Sequence, residues 1–153
     1  MIPPENVEDV AVRTASALKL PASVKSEMFV RAYANQQDIR IEIQTFDLED
    51  YDVDGWCVRL GERTYIIFYR ANQGHLTFSK RQRREWVKWH EIGHIVLGHL
   101  TKVGDTSRMF DPDAPQEQAA NEFADAMLAY TRGTLRHDEY DEDHMTFRDA
   151  MGW

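Results

Sequence analysis

The sequence predicts an α+β fold: a small three-stranded sheet packed on a mostly helical core. Three observations carry that prediction. Apolar residues recur at helical spacing in four stretches, a period-two alternation separates the second stretch from the third, and Gly- or Asn-containing punctuation falls between the two kinds of pattern. At 153 residues the chain suits one compact domain, 1–153. Within it, N-terminal helices are expected over 1–38, a strand-rich region over 39–78, two long helices over 79–132 and a C-terminal segment over 133–153.

Residues 5–19 set Val7, Val10, Ala11, Ala17 and Leu18 near one face, and Leu20-Pro21 punctuates the end. A second amphipathic helix is expected over 22–36, with Val24, Met28, Phe29, Ala32 and Tyr33. At 39–46 Ile39, Ile41 and Ile43 alternate with Arg40, Glu42 and Gln44, the signature of a strand with one buried face. The acidic stretch Asp47 to Asp54 closes at Gly55 and reads as a connection. Trp56–Leu60 and Thr64–Arg70 are two further strands separated by Gly61-Glu62-Arg63, the second rich in β-branched and aromatic residues. Ser79 is an expected N-cap for a helix running to about Leu100. The last helix spans 114–132, with Asp113 as its cap, Pro115 in its first turn and Gly133 as its stop.

Composition excludes several classes. A hydrophobic content of 42% with 29% charged residues is ordinary for a globular chain and excludes wholesale disorder. No apolar run approaches the roughly 20 residues that span a bilayer, so no membrane association is expected. The opening MIPPENVEDV has no basic region or long apolar core, and lone Cys57 cannot form an internal disulfide. Both point to a cytoplasmic protein. A net charge of −8 argues against direct nucleic-acid binding. The cluster Lys80, Arg81, Arg83, Arg84 and Lys88 reads as a solvated helix face, with a docking strip as the rival.

Chemistry is concentrated in His90-Glu91-Ile92-Gly93-His94. Histidines four residues apart on a helix stand on one face and can converge on one metal ion. Zinc accepts imidazole nitrogen at about 2.0–2.1 Å, so the pair supplies half of a tetrahedral site. Glu91 lies beside the pair and can serve as general base, the H-E-x-x-H arrangement. That motif arises by chance in only about one such chain in a hundred. Trp86, Trp89, Gly93, Val96 and Leu100 form an apolar stripe that Ile92, Ile95 and Leu97 broaden, so the helix is expected to be buried on most sides. Gly93 also permits another element to pack closely.

A catalytic zinc ion needs a third protein ligand. His99 lies roughly 140° round the helix from His94 and cannot join the cluster while that helix stays regular. It reads as a helix-end histidine near the C-terminal dipole. His75, His137 and His144 are the remaining histidines, and position 100 is Leu, which excludes a metzincin-type third histidine. Glu117 is a candidate, with Asn121 one turn later placed to orient a ligand histidine through its second ring nitrogen. Spacing alone leaves Glu117 equally readable as a first-turn acid.

The stretch RREWVKWHEIGHIVLGH (Arg83–His99), followed by Glu117-Gln118-Ala119-Ala120-Asn121-Glu122-Phe123-Ala124, resembles the ImmA/IrrE metallopeptidase family. The match in motifs covers roughly residues 80–130. The resemblance implies a zincin-like core and a Zn2+ endopeptidase with a gluzincin-like site: metal ligands His90, His94 and Glu117, and Glu91 as base. It further implies cleavage of helix-turn-helix repressors of phages, mobile elements or stress regulons. The chain departs from the family where Asp125–Thr131 lacks a Met-Pro ending. The rival functional class is a catalytically idle, metal-containing protein that sequesters a repressor or toxin partner. The intact Glu91 weighs against it. Candidate oxyanion donors are Tyr69, His75, His99 and Tyr130, and the acidic run 138–143 reads as solvated surface.

Overall fold

A computed structural model describes residues 6–21, 24–46, 54–70 and 78–131. The elements are helices α1 (Val7–Ala17) and α2 (Ser26–Gln37), strands β1 (Arg40–Phe46), β2 (Gly55–Gly61) and β3 (Thr64–Arg70), helix α3 (Phe78–Val96), a 3-10 turn at Ser107–Met109 and a fourth helix, α4, at 115–131. This is the expected α+β architecture, with four helices and one mixed sheet among the described residues. The C-terminal segment 133–153 and the 47–53 connection lie outside the described residues.

Asn6 caps α1 by accepting from the Glu8 N–H, and Ala11 and Ala15 are the residues it buries. Ala17, expected on the apolar face, is exposed. In α2 the buried residues are Ser26, Phe29 and Val30, whereas Met28 is 52% exposed, contrary to its expected place in the core. No side chain on the Lys25 cap position closes the start of α2. The Glu85 carboxylate of α3 does so from across the fold, accepting from the Ser26 N–H at 3.2 Å.

The sheet order is β1-β3-β2, with β1 parallel and β2 antiparallel to β3. Registers Ile41↔Tyr65, Ile43↔Ile67 and Cys57↔Ile67 gather one face of apolar residues against the helices. On the opposite face Trp56 stacks on Phe68 and meets Phe46 at a tilt, with ring centroids 4.7 and 4.9 Å away. The β2–β3 hairpin turns through Glu62-Arg63, with Gly61 still paired to Thr64.

Helix α3 runs through the middle. Trp89, Ile92 and Ile95 join Phe29 of α2 and Phe123, Met127 and Leu128 of α4 in one core. Phe29 meets Trp89 and Phe123 edge-on, at 5.1 and 6.5 Å. The expected basic face of α3 is divided. Arg83 is exposed, but Lys88 is buried and pairs with Glu27 of α2 and with Glu85, 3.2 Å away. Burial alone would lower the Lys88 pKa, but those two carboxylates outweigh it and hold the ammonium charged. The rival docking-strip reading therefore loses one of its cations to the core. The side chains of Lys80 and Arg81 lie outside the described ones.

Gly93 sets the distance between α3 and α4. A Cβ there would stand 3.0–3.1 Å from the Phe123 side chain. Replacing Gly93 by Val should overpack this contact and destabilise the fold by about 1–3 kcal/mol, read as a lower urea midpoint. An unchanged midpoint would show that the two helices are not held at contact distance there.

Candidate metal centre

Helical spacing puts His90 and His94 on the face of α3 that looks at the start of α4. From α4, Glu117 reaches back between them. Its Oε2 lies 2.8 Å from Nε2 of His90 and 3.0 Å from Nε2 of His94. One donor atom from each of the three residues falls within 4.8 Å of the others. No other such group occurs among the described residues. Two imidazole nitrogens and one carboxylate oxygen suit zinc, and three protein donors leave a fourth position free. The set fits a metal ion.

Both rings are kept neutral. Burial lowers the His90 pKa to about 4, with the nearby His99 adding to the effect and a side-chain interaction with Asn121 opposing it. Burial, then His90 and His99, lowers His94 to about 3. His94 is completely buried and stacks on Phe110, while Trp86 stacks on His90 and donates its indole N–H to Asp125 at 2.8 Å. Asn121, expected to orient a ligand histidine, stands in the same cleft. It interacts with the His90 side chain, although Nδ1 of His90 is buried without a hydrogen bond of good geometry.

Glu91 faces the same cleft and is 4% exposed. Burial raises its pKa to about 7, with hydrogen bonds from Ser107 and the Cys57 thiol working against the rise and the Glu117 charge adding to it. The Ser107 hydroxyl donates to Oε1 at 2.8 Å, and Oε2 remains turned toward the histidines, 3.8 Å from Nε2 of His90. Ser107 is itself placed by the Cys57 N–H, which donates to its oxygen at 3.0 Å. Sequence reasoning missed Ser107, because nothing in the local sequence marks a loop serine that is positioned by a neighbouring strand.

That loop is fastened to β2. Arg59 N–H donates to Asp105 O at 2.9 Å, Gly104 N–H donates to Arg59 O at 2.7 Å, and the Thr106 hydroxyl donates to Cys57 O at 2.9 Å. The Asp105 carboxylate closes the preceding turn by accepting from the Thr101 and Lys102 N–H groups. The resulting cleft, about 660 Å³, is walled by α3, by the loop through Ser107, Arg108, Phe110 and Pro112, by Asp54 and Gly55 at the start of β2, and by Glu117 and Asn121. Of the expected oxyanion donors, Tyr69, Tyr130 and His99 are not among the residues lining it, and His75 lies outside the described residues.

His99 departs from expectation. Helix α3 stops at Val96, short of Leu100, and Gly98 takes the left-handed conformation at φ 76°. The Gly98 N–H then donates to Ile95 O and the His99 N–H to His94 O, the paired bonds of a Schellman motif. The chain reverses, and Nδ1 of His99 comes to 2.9 Å from Nδ1 of His94. The regular-helix premise fails, so the histidine it excluded joins the cluster from behind.

Rings already neutral at physiological pH have no proton to give up when a metal binds. Ordinary histidines would lose about a hundredfold in apparent zinc affinity between about pH 7.5 and about pH 5.5. Here the histidines contribute little to such a fall, so the affinity should drop by well under a hundredfold over that range, as measured by chelator competition. A hundredfold fall would contradict the burial effect.

No curated protein matches the chain. Residues 34–146, which take in the three strands, α3 and α4, match the peptidase M78 family, described as the IrrE N-terminal-like domain. That match covers most of the sequence and encloses the two histidines, the two glutamates and the loop serine described above. The chain belongs to the peptidase M78 family, in agreement with the ImmA/IrrE resemblance of its motifs.

Proposed function

We propose that the protein is a zinc-dependent endopeptidase in which His90, His94 and Glu117 hold the metal and Glu91 is the general base. The observation that supports this reading best is the placement of Glu91. One carboxylate oxygen is anchored by Ser107 and the other is turned toward the metal-capable group, inside a cleft with room for a peptide. A purely structural metal site has no use for such a group.

Bound at these residues, zinc would act as a Lewis acid, activating water and polarising the scissile carbonyl. Glu91 takes the proton from the attacking water and passes it to the departing amine. A pKa near 7 matches both tasks, since the carboxylate accepts a proton and releases it again near neutral pH. Ser107 fixes the carboxylate's orientation by occupying Oε1. Trp86 and Phe110 pack on the two histidine rings and restrict their rotation.

The substrate we propose is a helix-turn-helix repressor or another regulatory protein of a phage, mobile element or stress regulon. This rests on the ImmA/IrrE resemblance, and the peptidase family supports a protein substrate in general. No described helix is long and apolar enough to cross a membrane. A repressor encoded beside the protein is the substrate to try, incubated with the enzyme and zinc. Glu91→Gln should retain zinc and lose cleavage by at least about a hundredfold, whereas His94→Ala should lose the zinc itself. Normal cleavage by the first variant, or normal zinc content in the second, would refute the assignment. Ser107→Ala should lower kcat about tenfold at little-changed KM and shift the acid limb of the pH profile upward, because it removes a bond that favours the carboxylate. An unshifted profile would remove Ser107 from the mechanism.

A further inference from the structure

We propose that His99 is a positioning residue for the metal: it receives the Nδ1 proton of His94 and thereby commits the opposite nitrogen, Nε2, to the ion. The inference deepens the metallopeptidase reading and rests on His94 being a ligand.

The geometry comes from the end of α3. In a Schellman motif the second residue past the helix cap lies over the third residue before it, a place usually taken by an apolar pair. Here those two positions are His99 and His94, brought together by the left-handed Gly98. Their rings lie 5.1 Å apart at 66°, with the two Nδ1 atoms 2.9 Å apart. At that distance one nitrogen must donate and the other accept.

His94 can offer Nε2 to a metal only if that nitrogen carries no proton, so the single proton of the neutral ring sits on Nδ1. The Nδ1–H then donates to a bare Nδ1 on His99, and His99 carries its own proton on Nε2. A ligand histidine whose second nitrogen is engaged in this way keeps its ring orientation and gains basicity at the metal. His90 is held less firmly: Asn121 is its neighbour, but Nδ1 of His90 is buried without a well-formed hydrogen bond. The two histidines of the motif are therefore unequal, and His94 is the one held from behind.

The test compares three proteins loaded with zinc. His99→Phe keeps an aromatic ring beside Phe110, which His99 approaches edge-on at 6.1 Å, and leaves the backbone bonds of the motif in place, but removes the acceptor. Its zinc affinity should fall about 10- to 100-fold in chelator competition. His99→Asn, whose side-chain oxygen can stand where Nδ1 stands, should recover affinity to within a few-fold of native. In the native zinc protein, nitrogen NMR should find His99 protonated on Nε2. Native affinity in His99→Phe, or no recovery in His99→Asn, would overturn the proposal. So would a His99 protonated on Nδ1, a result that needs no variant to fold. Failure of the underlying reading looks different, because His94→Ala would then keep its zinc.

Discussion

The contact between α3 and α4 at Gly93 and Phe123 is the constraint on which the site depends. Two helices that touch where one has no side chain bring their backbones closer than ordinary packing allows. At that separation a glutamate in the first turn of α4 reaches both histidines of α3 through one oxygen. The far side of α3 is fixed by different means. Lys88 and Glu85 tie it to α2, with Glu85 also closing the start of that helix. The helix carrying the motif is thus clamped between an apolar contact and an ionic one, and its histidines have little freedom to turn.

Burial acts on this group in two directions at once. It disfavours charge of either sign, so it pushes the histidine pKa values down and the Glu91 pKa up. The first effect keeps the imidazoles able to bind metal, and the second gives a carboxylate a proton affinity suited to acid–base work. No separate device is needed for each task. The same apolar walls serve both, and the hydrogen bond from Ser107 limits how far the carboxylate is pushed.

Much of this was readable from residue order. The Ile39–Ile43 alternation located β1, the Gly61-Glu62-Arg63 break separated β2 from β3, and the four-residue histidine spacing put both rings on one helical face. The parallel pairing of β1 with β3 was not readable, since alternation reports which face is buried and not which strand is the neighbour. Met28 was misplaced because helical spacing identifies a stripe but not its edges. The end of α3 was set too late because Leu97 and Leu100 continue the apolar pattern past Gly98, which is the true stop. The early stop hid the approach of His99. Ser107 depends on a backbone N–H fifty positions earlier, a tertiary relation with no local trace.

The loop that carries Ser107 has a second consequence, for solubility. Strand β2 is an outer strand, and an outer strand with unpaired backbone groups is a template for another chain. Residues 104–106 occupy that edge, using both the N–H and the C=O of Arg59 and the C=O of Cys57. The other outer strand, β1, is blunted by the charges of Arg40 and Glu42. A change that loosens the 104–107 segment therefore does more than slacken the Glu91 carboxylate. It uncovers a sheet edge, so loss of activity and a tendency to self-associate arise together from one short stretch of chain.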